Sequence, residues 1–268
     1  VHALARVTEA SAGDLRLLLG AGSPLGGARP KCAVSLNDGQ LAIAKFSKPD
    51  DTRDIAAGEI LALSLAQEAG IRVAAHRLVP VGDKNVSVIT RFDRQGDTRI
   101  PFLSAGSLLG LAPGANAAYT QFGDAIRQFG HDVPGDLCEL WRRLVFSLLA
   151  SNYDDHPRNH GFLMLAPGCW ALSPAYDLNP VPEIDRARVS KTSITEEAET
   201  MTIAAALDSV PRFGLKPAEA RRILREVFVA VSGWRKTGRR LHIRAGTLDA
   251  YASAFEQPLA EEAGRIVG

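Results

Sequence analysis

The sequence lacks an excess of either charge. With 31 Lys and Arg against 30 Asp and Glu its net charge is +1, so no overall field advertises nucleic acid or an anionic membrane as a partner. Only the run Arg235 to Arg240 leaves a local basic patch open. Metal-binding cysteine spacing is missing as well. Cys32, Cys138 and Cys169 form no C-x-x-C, each has apolar neighbours, and they read as reduced core thiols. No apolar run reaches the roughly 18 residues of a membrane-spanning helix, and the N-terminus has no charged-then-apolar secretory pattern. Internal repeats and low-complexity tracts are absent. A globular, cytoplasmic protein is expected, and the first residue, Val1, reads as the start of a processed or truncated piece.

What is present is enough apolar material for one large or two modest cores, 46% of 268 residues. A short helix is expected around Ser11 to Leu19, followed by the glycine-rich loop GAGSPLGGARPK. CAVSLN and QLAIAKF flank Asp38-Gly39 and read as a β-hairpin. In its second strand Leu41, Ile43 and Lys45 share one face, so a lysine ends an apolar stripe. DIAAGEILALSLAQEA has helical spacing, with Glu59 its one central acid and Gly70 its stop. RLVPVGDKNVSVITRFDR predicts a second hairpin turning at Gly82 to Asn85.

A Gly- and Ala-rich connection, Gly106 to Ala118, is the expected boundary between a small β-rich lobe and a larger helical one. Beyond it LCELWRRLVFSLLASN predicts a buried helix, and GFLML with CWALS a hairpin turning at Ala166-Pro167-Gly168. PAEARRILREVFVAVSGWRK starts with Pro217 near its first turn and carries the stripe Ile223, Val227, Val231 and Trp234.

Four pieces carry chemistry. The loop GSPLGGARPK could turn backbone N–H groups and Lys31 towards a polyphosphate, although glycines also simply punctuate loops. Lys45 on a strand and Glu59 on the next helix match the pair with which protein kinases hold ATP phosphates, against the plain alternative of a lysine reaching for solvent. Asp154 and Asn159 have the spacing of the kinase catalytic loop, where the aspartate receives the acceptor proton and the asparagine binds Mg²⁺. A solvated loop is the alternative. Asp177 follows the next hairpin, where kinases place their second metal ligand, though an Asp cap or turn would look the same. The kinase order of all four pieces is what favours the functional reading.

SPLGGARPK, AIAKF, TRFDR, LSAGSLLGL, NYDDHPRNHGFL and SPAYDLNP, with LKPAEARRILREVFVAVSGWR near the C-terminus, resemble the successive motifs of HipA-type serine/threonine kinases, toxins of bacterial toxin–antitoxin pairs. The resemblance runs from about Leu15 to about Trp234. It implies an α+β, two-lobed protein-kinase-like fold, with an N-lobe over residues 1–112 and a helical C-lobe over 113–268. It implies ATP and Mg²⁺ as cofactors and a protein Ser or Thr as acceptor. Asp154 would be the base, Lys45 with Glu59 the phosphate-binding pair, and Asn159 and Asp177 the metal ligands. Gly26, Gly27, Ala28, Arg29, Lys31, Thr90, Arg91, Phe92, His156, Pro157, Arg158 and Tyr176 would line the nucleotide site.

A HipB-type antitoxin is the implied partner, with DNA reached only through it and no membrane involved. Family toxins carry a further subdomain ahead of the Gly-rich loop, so this sequence is expected to be either a fragment or a short variant. Ser23 is the residue nearest the loop serine that some members autophosphorylate, with Pro24 lengthening the segment. Competing readings are a small-molecule phosphotransferase, a catalytically silent nucleotide-binding module, and a metal-dependent hydrolase built on Asp154, Asp155, His156 and His160.

Overall fold

In a computed structural model of the chain the described residues are 5–6, 29–48, 50–186, 191–198 and 200–268. The expected helix at Ser11 to Leu19, and Ser23, Gly26, Gly27 and Ala28 of the Gly-rich loop, lie outside them.

A five-stranded sheet has the order β1-β2-β3-β5-β4. Its strands are β1 (Ala5–Arg6), β2 (Lys31–Ser35), β3 (Leu41–Phe46), β4 (His76–Val81) and β5 (Lys84–Thr90). The Asp38-Gly39 hairpin forms because Gly39 takes φ 81°, a conformation that costs glycine nothing, while the Asp38 carboxylate accepts from Gln40 N–H at 3.0 Å. Alternation then sorts the side chains. Ala42, Ala44 and Phe46 join Cys32, Val34, Val81, Val86 and Val88 in a small core. The other face carries Lys31 directly opposite Lys45, and Lys45 directly opposite Ser87 of β5. The second hairpin turns more tightly than the sequence suggests: Lys84 and Asn85 already pair in β5, which leaves Gly82 and Asp83 as the turn.

Helix α1 (Ile55–Glu68) is capped by Asp54, whose Oδ1 accepts from Ala57 N–H at 2.9 Å. It ends where Gly70 takes φ 78°. Ala56 to Ala66 are buried on every side, because the helix lies between strands β4 and β5 and two C-terminal helices, α6 (Pro217–Ser232) and α7 (Trp234–Arg240). The close approach requires small side chains. A Cβ on Gly58 would sit 2.3 Å from the Tyr251 hydroxyl, which itself donates to the Asp54 carbonyl.

Past the short α2 (Ala105–Leu108) the large core continues through α3 (Tyr119–Phe129) and α4 (Val133–Leu149), where Trp141, Leu144, Val145 and Phe146 are fully buried, and through α5 (Ile203–Asp208). Helix α4 begins earlier than the apolar run, at an Asp132 cap with Pro134 in the first turn. After the short pair β6 (Arg94–Gln95) and β7 (Thr98–Arg99), a three-stranded sheet of β8 (Phe102–Ser104), β10 (Gly161–Ala166) and β11 (Cys169–Leu172) lies beside α3, and β9 (Ala117–Ala118) pairs with β12 (Thr192–Ser193). Ile223, Val227 and Val231 of α6 are buried as expected. Trp234 belongs instead to α7, because the chain breaks at Gly233, and it joins the same core from a second helix.

One further expectation is corrected. Only Cys32 is buried, while Cys138 and Cys169 are partly exposed, and all three are free thiols. Of the basic run, Arg235 pairs with Asp249 and Glu256 at 2.8 and 3.0 Å and Arg240 pairs with Glu68, while Lys236 and Arg239 are exposed. No helix among the described residues is long and apolar enough to cross a membrane.

Candidate active site

The register of the first sheet builds one side of the site. Lys45 and Ser87, opposite each other on β3 and β5, both reach Glu59 of α1. Glu59 accepts from Lys45 Nζ at 2.5 Å through Oε1 and from Ser87 Oγ at 2.9 Å through Oε2. Its side chain is 3% exposed, and a buried carboxylate needs such partners to remain charged. Lys45 Nζ donates a second hydrogen bond to Asp177 Oδ1 at 2.8 Å. Burial alone would pull the Lys45 ammonium down, but Glu59 and Asp177 together outweigh it and the net shift is upward. Burial likewise pushes the Asp177 carboxyl up, while Lys45, Asn179 and Lys31 hold it below its ordinary value.

Lys31 has no hydrogen-bond or ion-pair partner among the described residues, so the cross-strand pair Lys31 and Lys45 presents two cations on one face. Facing like charges are unfavourable unless an anion lies between or beside them. Arg29 differs: Asp51 takes its guanidinium at 2.6 and 2.8 Å.

Asp177 has φ 57°, in the left-handed region that a non-glycine residue adopts at a cost. Asn179 helps to hold it there, donating to the Asp177 carbonyl at 3.1 Å. The segment after β11 is also tied to the loop after α4. Asn179 N–H donates to Asn152 Oδ1 at 3.0 Å and Val181 N–H to the Ser151 carbonyl at 3.0 Å. Ser151 also has a positive φ, 49°. The two loops that carry Asp154 and Asp177 are thus pinned to each other at their bases.

The adjacent acids Asp154 and Asp155 divide their work. Asp155 is buried, 3% exposed, and accepts from Tyr119 Oη and, at 2.9 Å, from His160 Nε2. Its carbonyl accepts from Thr192 Oγ1 at 2.7 Å. Burial, then the Asp155 charge, pushes the Tyr119 hydroxyl well up, so it stays a donor. Asp154 points outward, its side chain 56% exposed and paired with Lys191. Asn159 ties the turn together: its amide nitrogen donates to the Asp154 carbonyl at 3.0 Å, and its backbone N–H donates to the His156 carbonyl at 2.8 Å. Gly161 follows because a Cβ there would lie 2.3 Å from the Phe102 ring.

Tyr176 packs tilted against Phe92 and edge-on against Phe102, with ring centroids 5.5 and 6.2 Å away, and its hydroxyl donates to the Arg158 carbonyl at 2.7 Å. Thr90 closes β5 and Arg91 follows it, its guanidinium held by Asp93 at 2.5 and 2.8 Å. Among the described residues His156 Nδ1 is buried without a partner.

The donors left over suit a hard cation. With Asn159 Nδ2 donating to a carbonyl and Asp177 Oδ1 held by Lys45, Asn159 Oδ1 and Asp177 Oδ2 have no partner among the described residues. Two such oxygens match the sparse protein ligation that Mg²⁺ accepts when phosphates and water supply the rest. Among the described residues no group of three or more His, Cys, Asp or Glu could hold a metal ion. The set Asp154, Asp155, His156 and His160 does not converge, since Asp155 and His160 are spent on each other.

Sequence reasoning missed Ser87, Asn179, Tyr119 and Lys191. Only Ser87, at the register position facing Lys45, left a legible signal.

The family model for the HipA-like C-terminal domain matches residues 23–234. The chain belongs to that family. A solved chain of the Shewanella oneidensis MR-1 HipA, HipB and operator DNA complex matches with a TM-score of 0.70 at 16% identity, covering 95% of this chain and 70% of that one. The Helicobacter pylori proinflammatory kinase CtkA matches with a TM-score of 0.57 at 17% identity, covering 91% and 93%. Among curated proteins no sequence matches. The fold of this HipA-like chain is therefore the two-lobed, kinase-like α+β fold expected from its sequence.

Proposed function

We propose that this HipA-like chain is an ATP- and Mg²⁺-dependent serine/threonine protein kinase. The observation that carries the reading is Lys45, ion-paired at once to Glu59 and Asp177 across elements far apart in sequence. A phosphate-binding lysine must be oriented without being neutralised by burial, and Glu59, fixed by Ser87, supplies that orientation. Bound Mg-ATP would supply the transferable phosphoryl group and the metal's charge neutralisation. Lys45 and Lys31 would take phosphate oxygens, with Asn159 and Asp177 offering oxygen to the metal. Asp154, exposed beside this set, would accept the proton of a Ser or Thr hydroxyl, its loop held by the buried Asp155. Phe92 and Tyr176 would form an apolar wall for the base of the nucleotide. Positioning and charge then supply most of the rate.

The reading includes a cytoplasmic protein acceptor and a HipB-type partner. Support for the latter comes from the fold match to a complex containing HipB. Calorimetric titration with Mg-ATP tests the nucleotide half: binding should require Mg²⁺ and weaken at least tenfold in Lys45→Met. Equal affinity in that variant would overturn it.

A further inference from the structure

The grip around Lys45 is built on a sheet and α1, and Asp154 stands on the loop after α4. Phosphoryl transfer tolerates little misplacement between them, since a shift of about 1 Å can cost about 10²-fold in rate. Besides Lys45 with Asp177, an ion pair joins the start of α1 to the segment that follows Asp177: Arg53 Nη1 with Asp185 Oδ2.

Arg53 stands immediately before the Asp54 cap of the helix that carries Glu59. Its guanidinium lies over the Tyr251 ring, 5.7 Å from the centroid, and Tyr251 Oη donates to the Asp54 carbonyl at 3.0 Å. Asp54 also accepts from Asn85 Nδ2 of β5 at 2.5 Å. At the other end Asp185 closes a short 3-10 turn, Glu183–Asp185. Glu183 N–H donates to Ser253 Oγ at 3.0 Å. Arg186 donates to the Ser253 carbonyl and, at 3.1 Å, to Ser151 Oγ. Its guanidinium lies over the ring of Tyr153, the residue before Asp154, 5.3 Å from the centroid. Packed side chains therefore run without a break from Glu59 through Arg53 and Asp185 to the base of the Asp154 loop.

Stability does not account for the Arg53–Asp185 pair. The Asp185 side chain is 41% exposed, and an ion pair that open to water adds little. The helix cap and the turn also keep hydrogen bonds of their own without it. What the pair fixes is the separation between them.

We propose that Arg53 and Asp185 are positioning residues for phosphoryl transfer, their ion pair setting the Lys45–Glu59 grip in register with the Asp154 loop. The inference rests on the kinase reading and adds to it the contact that aligns its two halves. Neither side chain touches nucleotide or acceptor; each acts through the element it holds.

The test compares Arg53→Met, Asp185→Asn, the double variant and Arg53→Lys with wild type. Turnover is read as ADP released from Mg-ATP with dephosphorylated casein present, and Mg-ATP affinity by calorimetry. Each of the first two variants should lower kcat about tenfold while the Mg-ATP Kd stays within about twofold of wild type, because Lys45, Glu59 and Ser87 keep their contacts. The double variant should fall no further than either single one, since both substitutions remove the same link. Arg53→Lys keeps the charge and should retain most of kcat. Thermal melts of all four should stay within about 3 °C of wild type, which separates lost alignment from lost folding. Wild-type kcat in either single variant, or a double variant that multiplies the two single losses, would overturn the positioning role and leave the kinase reading standing. So would a loss of Mg-ATP affinity equal to the loss of kcat. Absence of turnover in the wild-type chain would overturn the kinase reading, and this inference with it.

Discussion

The two sides of the site are built differently. Around Lys45 both carboxylates are held by more than one partner: Glu59 by Lys45 and Ser87, and Asp177 by Lys45 and Asn179. Around Asp154 the carboxylate stands in solvent with one exposed lysine as its partner. The contrast separates a half preorganised by folding from a half left open to a second reactant. A rigid phosphate grip and an accessible base are what phosphoryl transfer to a large acceptor requires.

The sharpest way to break this comparison is to treat neighbouring acids alike. Asp154→Asn and Asp177→Asn should each lower phosphoryl transfer by about 10³-fold or more. Asp154→Asn should leave thermal stability unchanged, whereas Asp155→Ala should cost about 3 kcal/mol, because it strands the buried Tyr119 hydroxyl and His160. Paired denaturation and turnover measurements would read both. Equal stability of the Asp154 and Asp155 variants would contradict the division of labour.

A smaller effect is expected from Glu59→Gln, which keeps the shape but loses a charge beside Lys45. Mg-ATP affinity should fall about tenfold by calorimetry, less than in Lys45→Met. The ion pairs also have a pH signature. The Asp177 carboxyl is held below its ordinary value, so its contribution to stability is complete above about pH 4 and is lost as the pH falls through the lower folded value. Thermal melts from pH 7 to pH 3 should show a loss only at the acidic end, and Asp177→Asn should reduce it, the lowered carboxyls of Asp51, Asp93, Glu196 and Glu226 supplying the rest. Smallest of all should be Lys191→Ala. Its exposed ion pair should change stability by no more than about 0.5 kcal/mol.

Much of the rigid half was legible in the sequence, because a strand period of two and an Asp-Gly turn fix which way Lys45 points. Glu59 was legible as the one acid in the middle of an otherwise apolar helix. The open half was not. Asp154 and Asp155 are identical neighbours, and only the packing of Tyr119 and His160 decides which turns inward. Lys191 arrives from 37 residues downstream through a tertiary contact with no local spacing to announce it. The stripe ending at Trp234 misled for a physical reason: the chain breaks at Gly233, yet the following helix returns Trp234 to the same core.

The measurement that tests the central claim most directly is incubation with γ-labelled ATP and Mg²⁺, followed by mapping of labelled residues on the protein and on added acceptor proteins. The account predicts phosphoserine or phosphothreonine with the wild-type chain and none with Asp154→Asn. No label with the wild type, or equal label with the variant, would contradict it.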